Sequence, residues 1–108
     1  MNDSSITDPL GRTILLSERT WAGHIVKGHP EVTDHRELVE GAVRSPDEIR
    51  HSHSDTDCRI YFGPGPRSSV RIMVVADVVV GVVKTAHLCK RASGGAVEWS
   101  KSTLSKEP

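Results

Sequence analysis

Two apolar runs flank a single acidic residue in the second half of the chain: "SVRIMVVA" (Ser69–Ala76) before Asp77, and "VVVGVVKTAHL" (Val78–Leu88) after it. Valine and isoleucine dominate both. β-Branched side chains lose rotamer freedom in a helix and pack well on a pleated surface, so two such runs around a turn residue predict adjacent antiparallel strands. A sheet of that kind needs cover for its apolar face. The chain has 108 residues, 36% of them hydrophobic, which allows one domain with a modest core and no covalent staple.

The cover comes from the first half. "DPLG" (Asp8–Gly11) is a turn signal, followed by a short extended piece, "RTILLS" (Arg12–Ser17). Ser17 suits the N-cap of a helix with Glu18 in its first turn, and Trp21 and Ile25 then form one apolar stripe. Pro30 ends that helix by pushing His29 out of helical geometry. His24 is therefore expected on the helix and His29 in its extended exit. A second helix is expected over Asp34–Arg44, capped by Thr33 or Asp34, turning Leu38, Val39, Ala42 and Val43 inward and stopped by Pro46. A short strand around Ile49, a strand "CRIYFG" (Cys58–Gly63), an exposed turn "PGPRS" and a last strand "AVEWSK" (Ala96–Lys101) complete the pattern. Two helices followed by antiparallel strands make an α+β layout. Residues 1–8 and 102–108 are polar and aperiodic, so a disordered N-terminal tail and a flexible C-terminal tail are expected around a single domain over residues 9–101.

Fourteen basic residues balance fourteen acidic ones. No net field attracts nucleic acid or a membrane, although the strand-rich half carries a local basic excess that includes Arg67, Arg71, Lys84, Lys90 and Arg91. The longest apolar run, "VVVGVV", is too short to cross a bilayer, and the start has neither the basic cluster nor the apolar stretch of a secretory leader. A cytoplasmic location with no membrane partner is the expectation. Cys58 and Cys89 stand apart without a CxxC, which fits core thiols in a reducing compartment; a bridge would require neighbouring strands.

The candidate chemistry starts at "WAGHIVKGHPE" (Trp21–Glu31), where two histidines lie five residues apart. Imidazole titrates near physiological pH, so the pair invites proton transfer. Strand alternation puts Arg59 and Tyr61 on one face, and Thr85 and His87 on one face with Val83, opposite Lys84. A mid-sheet face bearing such groups is costly unless it is wet or working. Each residue also has a structural alternative. His24 covers the Trp21–Ile25 stripe, His29 is a solvated loop residue, Arg59 and Tyr61 form the wet side of a one-sided sheet, and Thr85 is simply β-branched. Lys84 either lies along the sheet edge or contacts phosphate. "HSHSDTDC" offers His51, His53, Asp55, Asp57 and Cys58 as zinc ligands, but hard carboxylates mixed with one thiol in one loop make a poor site. A polar loop at the lip of the sheet is expected instead, and no metal or cofactor.

The order "G..I.L", "W..HI...HPE", "SP..I", "R.YFG" and "VVKTAH" before an aromatic last strand resembles the barnase/EndoU/colicin/RelE-like (BECR) nuclease superfamily, in its phage- and prophage-associated branch. The likeness runs from about Asp8 to Trp99. It implies N-terminal helices packed on a curved antiparallel sheet of about four strands. It also implies metal-independent cleavage of RNA by a toxin-like enzyme, often restrained by a protein antitoxin. Carried onto this chain, it points to His24, His29, Arg59 and Thr85 as catalytic and to Tyr61 as a base-holding residue. His87 departs from the pattern, standing where relatives carry an aromatic residue such as tyrosine. It either adds a third imidazole or marks drifted chemistry.

Metal-independent RNA cleavage turns the ribose 2′-OH on its own phosphate. That needs a base for the 2′-OH proton, an acid for the 5′-oxygen, and positive charge on the phosphate. Histidine suits both proton roles, and arginine offers a planar fork for the phosphate oxygens. His24 and His29 are expected to share the acid and base roles, with Arg59 on the phosphate. Lys84, Arg71, Thr85 and His87 would contact or orient substrate, and Tyr61 would stack on a base. The expected partner is RNA, with tRNA and ribosome-associated mRNA as candidates, and an antitoxin or immunity protein. Neutral net charge argues against promiscuous RNA binding, because non-specific affinity scales with the phosphates neutralised. The alternative is a non-catalytic RNA- or protein-binding module on the same fold, and a zinc hydrolase comes third.

Overall fold

Strand register decides which side chains of this protein can meet. The computed structural model describes residues 3–101, and seven strands within them form one sheet. These are β1 (Ser4–Thr7), β2 (Thr13–Leu16), β3 (Glu48–His51), β4 (Cys58–Pro64), β5 (Arg71–Asp77), β6 (Val82–Cys89) and β7 (Val97–Ser100). Their spatial order is β1-β2-β6-β5-β4-β3-β7. Strands β2 and β6 meet in parallel at Leu15 and Val82, and the other neighbours are antiparallel. The architecture is α+β with two short helices, as the sequence implies. The sheet is larger than the four antiparallel strands expected, and it is mixed.

Two corrections account for much of the difference. The expected N-terminal tail is, over Ser4–Thr7, a strand: Ile6 pairs with Ile14 across the hairpin, and both are buried in the core. Ile6 in the core, the ladder to β2 and the Ser4 hydroxyl on Glu40 at 2.7 Å together dock this polar segment. The long strand expected from Val78 begins only at Val82. The Asp77 carboxylate accepts hydrogen bonds from the Val79 and Val80 amides, both at 2.9 Å, and this carboxylate turn overrides the β preference of the valines. Val79 and Val80 are left 72% exposed. Gly81 follows at φ +89°, where an added Cβ would lie 2.8 Å from the Thr13 carbonyl oxygen. Its own carbonyl accepts from the Leu15 amide at 2.8 Å, which starts the parallel junction.

The first helix covers residues 18–28, with Ser17 capping it through a 3.0 Å bond from the Thr20 amide. Its middle turn, Trp21–Ile25, is a wider π turn carrying His24; such turns in helices occur frequently at functional sites. The helix ends at Gly28, before Pro30, as expected, and a single 3-10 turn follows at Pro30–Val32. The second helix is Arg36–Arg44, shorter at its start than expected. The Thr33 hydroxyl donates to the Pro30 carbonyl at 2.6 Å, so it closes the preceding turn and does not cap the helix. Arg36 ties the parts together. Its guanidinium bonds Glu18 at 2.6 Å and Glu40 at 3.1 Å, and lies 5.5 Å from the centroid of the Trp21 ring.

Trp21 and Ile25 of the first helix and Val39, Ala42 and Val43 of the second join Ile14, Leu16, Ile49, Ile72, Val74 and Ala86 in the core. The second helix lies so close to β4 that a Cβ on Gly63 would fall 2.8 Å from the Ala42 Cα. No helix of the described residues is long and apolar enough to cross a membrane. Cys58 is buried, Cys89 half-buried, and both are free; they sit at opposite ends of β5, against Asp77 and Arg71. Burial pushes both thiols up from the ordinary range.

The close approach is testable. Gly63→Ala should lower stability by about 1–3 kcal/mol in urea denaturation, through overpacking against Ala42. Gly41→Ala, where an added Cβ meets nothing within 4 Å, should instead raise stability by roughly 0.5–1 kcal/mol by removing a flexible residue from the helix interior.

Candidate functional site

Residues directly opposite one another in an antiparallel pair present their side chains to the same face. Val74 pairs with Tyr61 and Ala86, and these, with Ile72, Ala76 and Val83, form the inner face against the helices. Val75 pairs with Thr85, Met73 with His87 and Arg71 with Cys89, which places this second set on the outer face. The register shifts between Val75 and Ala76, so that Ala76 opposes Val83 and Lys84 is an extra residue. Alternation along β6 is therefore broken at Lys84. Thr85 and His87 share a face with Val82, not with Val83 as simple alternation predicts. A bulge re-aims side chains in this way.

His24, carried by the π turn, meets the outer face there. With Lys84, Thr85 and Val75 of the sheet and Ser52, Ser54, Asp55 and Cys58 of the preceding loop and strand, it lines an open cleft of about 370 Å³. The Asp57 amide and then the Cys58 thiol hold the Asp55 carboxyl below its ordinary range, with Lys84 acting in the same direction. His29 lies beside this cleft. Its ring stacks on His87 with centroids 4.8 Å apart and planes 30° from parallel. His29 Nδ1 is 3.5 Å from a Glu31 carboxylate oxygen, and His87 Nδ1 is 2.9 Å from the Leu88 carbonyl. Five expected site residues thus gather on one side of β6: His24, His29, Lys84, Thr85 and His87.

Arg59 and Tyr61 do not join them. They share a face, as alternation requires, but it is the inner one. Tyr61 is fully buried in the core, and its hydroxyl donates to Asp8 at 2.5 Å, so its ring has no surface to offer a base. Arg59 Nε donates to Glu98 at 2.9 Å, while the same guanidinium reaches the carbonyls of Thr56 and Cys58 at 2.9 and 3.1 Å. Arg12 completes the set, bonding Asp8 at 2.8 Å and Glu98 at 2.8 and 3.2 Å. Burial alone would raise the Asp8 and Glu98 carboxyls. Tyr61 and Arg12 around Asp8, and Arg12 and Arg59 around Glu98, instead hold both below their ordinary values. Burial and then Asp8 push Tyr61 upward; Glu98 and Asp8 outweigh burial to raise Arg12.

Arg71 occupies the outer face but at its far end. It lines a second opening with Asp47, Pro64, Gly65, Arg67, Ser68 and Val70. The Arg71 and Val75 positions are four residues apart on β5, roughly 13 Å at ~3.3 Å per residue, so one phosphate cannot engage both Arg71 and Thr85. Among the described residues, no three histidine, cysteine or acidic side chains are placed to hold a metal ion, so "HSHSDTDC" does not form the cluster its spacing offers. Sequence reasoning missed Asp8, Arg12 and Glu98 as the partners that occupy Arg59 and Tyr61. The only signal was charge in otherwise structural segments, "DPLGR" and "AVEWSK".

No protein-family model matches the chain, and neither curated proteins nor solved structures yield a match.

Reassigning Arg59 and Tyr61 to structure has measurable consequences. Tyr61→Phe should cost about 1–3 kcal/mol of stability, because it leaves the buried Asp8 carboxylate short of a hydrogen bond. Arg59→Ala should cost less, because its partner Glu98 is partly exposed and keeps Arg12. The lowered carboxyls of Asp8 and Glu98 stabilise the fold above the ordinary carboxylate range, and that stabilisation is lost as pH falls through their lower native values. Urea midpoints taken from pH 6 down to about pH 2 should therefore fall less steeply in Asp8→Asn than in the parent chain.

Proposed function

We propose that this chain is a metal-independent endoribonuclease of the toxin type, working in the cleft between the first helix and β6. The observation that carries the reading is the meeting of both histidines of "HIVKGHPE" with Lys84, Thr85 and His87 on one open sheet face. The 2′-oxygen of a bound ribose attacks the adjacent phosphorus and the bond from phosphorus to the 5′-oxygen breaks. The products are a 2′,3′-cyclic phosphate and a 5′-hydroxyl. One imidazole takes the 2′-OH proton and another gives a proton to the departing 5′-oxygen. Lys84 supplies the positive charge expected of Arg59, and the Thr85 hydroxyl steers a non-bridging oxygen. Lysine is a point charge, not a fork, so it stabilises the phosphate without fixing its orientation bidentately.

Balanced net charge supports an enzyme that selects its RNA, a tRNA or ribosome-bound message among the candidates, over one that binds RNA at large. A protein antitoxin is the regulatory partner that fits such an activity. Purified protein should cut RNA in EDTA and leave cyclic phosphate ends. His29→Ala should slow cutting by about 100-fold or more. Lys84→Ala should be similarly impaired, and Arg59→Ala should keep its activity per folded molecule. Induction of the chain in a bacterium should arrest growth, and His24→Ala should relieve the arrest. Retained RNA binding without any cleavage would instead make the chain a binding module on this fold.

A further inference from the structure

Arg12, Arg36, Arg50 and Arg59 are each held by a carboxylate. Arg71 and Arg67 are not. Neither guanidinium makes an ion pair among the described residues, although Asp47 shares their opening of about 370 Å³. Two guanidiniums against one carboxylate leave that opening positive, in a chain with no net charge. The placement of both arginines is built. Arg71 is half-buried and opposes Pro64 at the start of β5. The loop between them is tied by the Gly65 amide on the Val70 carbonyl and the Val70 amide on the Arg67 carbonyl, each at 3.0 Å. A Cβ on Gly65 would fall 2.2 Å from the Val70 oxygen, so the loop closes only around a glycine there. Arg67 is thereby held in the opening with Arg71, and planar guanidinium forks match phosphate oxygens.

This opening and the His24 cleft belong to one face. Along β5 the outward positions run from Arg71 through Met73 to Val75, and their partners on β6 are Cys89, His87 and Thr85. Met73 and His87, half-buried midway, give the track an apolar and aromatic floor. Every base has a face that can rest on such a floor, provided it is not turned inward by pairing. The span from Arg71 to Val75, roughly 13 Å at ~3.3 Å per residue, exceeds the step between neighbouring phosphates of a strand. We infer that single-stranded RNA runs along this face, with Arg71 and Arg67 holding a phosphate further along the strand than the immediate neighbour of the one at Lys84 and Thr85. The inference rests on the nuclease reading and deepens it. The substrate is then a strand of several unpaired nucleotides, and part of its affinity comes from a linkage that is never cut.

Substrate length separates this subsite from the cleft. A dinucleoside monophosphate carries only the scissile phosphate, whereas an octanucleotide reaches the arginines. On a mixed-sequence octanucleotide, Arg71→Gln and Arg67→Gln should each raise KM by about 10-fold with kcat nearly unchanged. On dinucleoside monophosphates both should match the parent. Binding of a 2′-O-methyl octanucleotide, which cannot be cut, should weaken to the same extent. Its slope of log affinity against log salt should become shallower by ~0.7 for the lost phosphate contact. Arg44→Gln removes the same charge from the exposed end of the second helix and should leave all of these values at the parent's. Should Arg71→Gln lower the thermal midpoint, Arg67→Gln, exposed in its loop, carries the test alone. Equal losses on both substrates, an equal effect of Arg44→Gln, or no loss in either arginine variant overturns the subsite and leaves the nuclease reading standing. A parent protein that cuts neither substrate but binds the 2′-O-methyl octanucleotide through Arg71 and Arg67 overturns the nuclease reading and keeps the strand path. A parent that binds no RNA overturns both.

Discussion

The Asp8 carboxylate is the point on which the fold closes. It is buried, and it accepts from the backbone amides of Leu10 and Arg12, the Arg12 side chain and the Tyr61 hydroxyl. Arg12 passes the link to Glu98 on β7 and Glu98 passes it to Arg59 on β4. In the sheet order the β1–β2 hairpin and β7 belong to opposite edges, so this chain of charges joins the two ends of the sheet and makes it curl. A buried carboxylate stripped of such partners would carry a penalty of several kcal/mol; with its donors in place it is satisfied, and no buried side-chain polar atom among the described residues lacks a partner.

Closure of one face is what frees the other. Once Arg59 and Tyr61 turn inward to the charge network, the outer side keeps the polar groups of β6 and the end of β5, together with the paired Glu48 and Arg50 of β3. Two bulges achieve the sorting. Glu98 is the extra residue where Ile49 opposes Trp99 but Arg50 opposes Val97, and Lys84 is the extra residue where Val75 opposes Thr85 but Ala76 opposes Val83. Each inserts one charged side chain out of turn, one into the structural network and one into the cleft.

Much of this was legible in the residues. Ser17 and Pro30 mark the first helix, the valine-rich runs mark β5 and β6, and His24 and His29 fall on the helix and its exit. What alternation alone could not reveal was the bulge, because nothing in "VVKTAHL" says that a residue will be skipped by its partner strand. Nor does a sequence say which face of "CRIYFG" becomes the core. Tyrosine and arginine look solvent-seeking until a distant Asp8 and Glu98 supply acceptors, and those partners lie 53 and 39 residues away in the chain. Residues 102–108, expected to be a flexible tail, lie outside the described residues.

The cleft has an economy that follows from its support. A ring stack between a helix exit and a strand would be loose if either side were unsupported. Here one ring is fixed by a hydrogen bond to the backbone beside it, on a strand paired with β5 along most of its length. The other sits at the end of a helix pinned by Arg36 through Glu18 and Trp21. Structured elements therefore hold both rings, and the adjoining loop is tied down as well, through the Cys58 amide on the Asp55 carbonyl at 3.0 Å and the Asp57 amide on the Asp55 carboxylate at 2.9 Å. A cleft built in this way, from a helix, a bulged strand and a hydrogen-bonded loop, presents its polar groups at fixed separations, which is what the proposed chemistry would require of it.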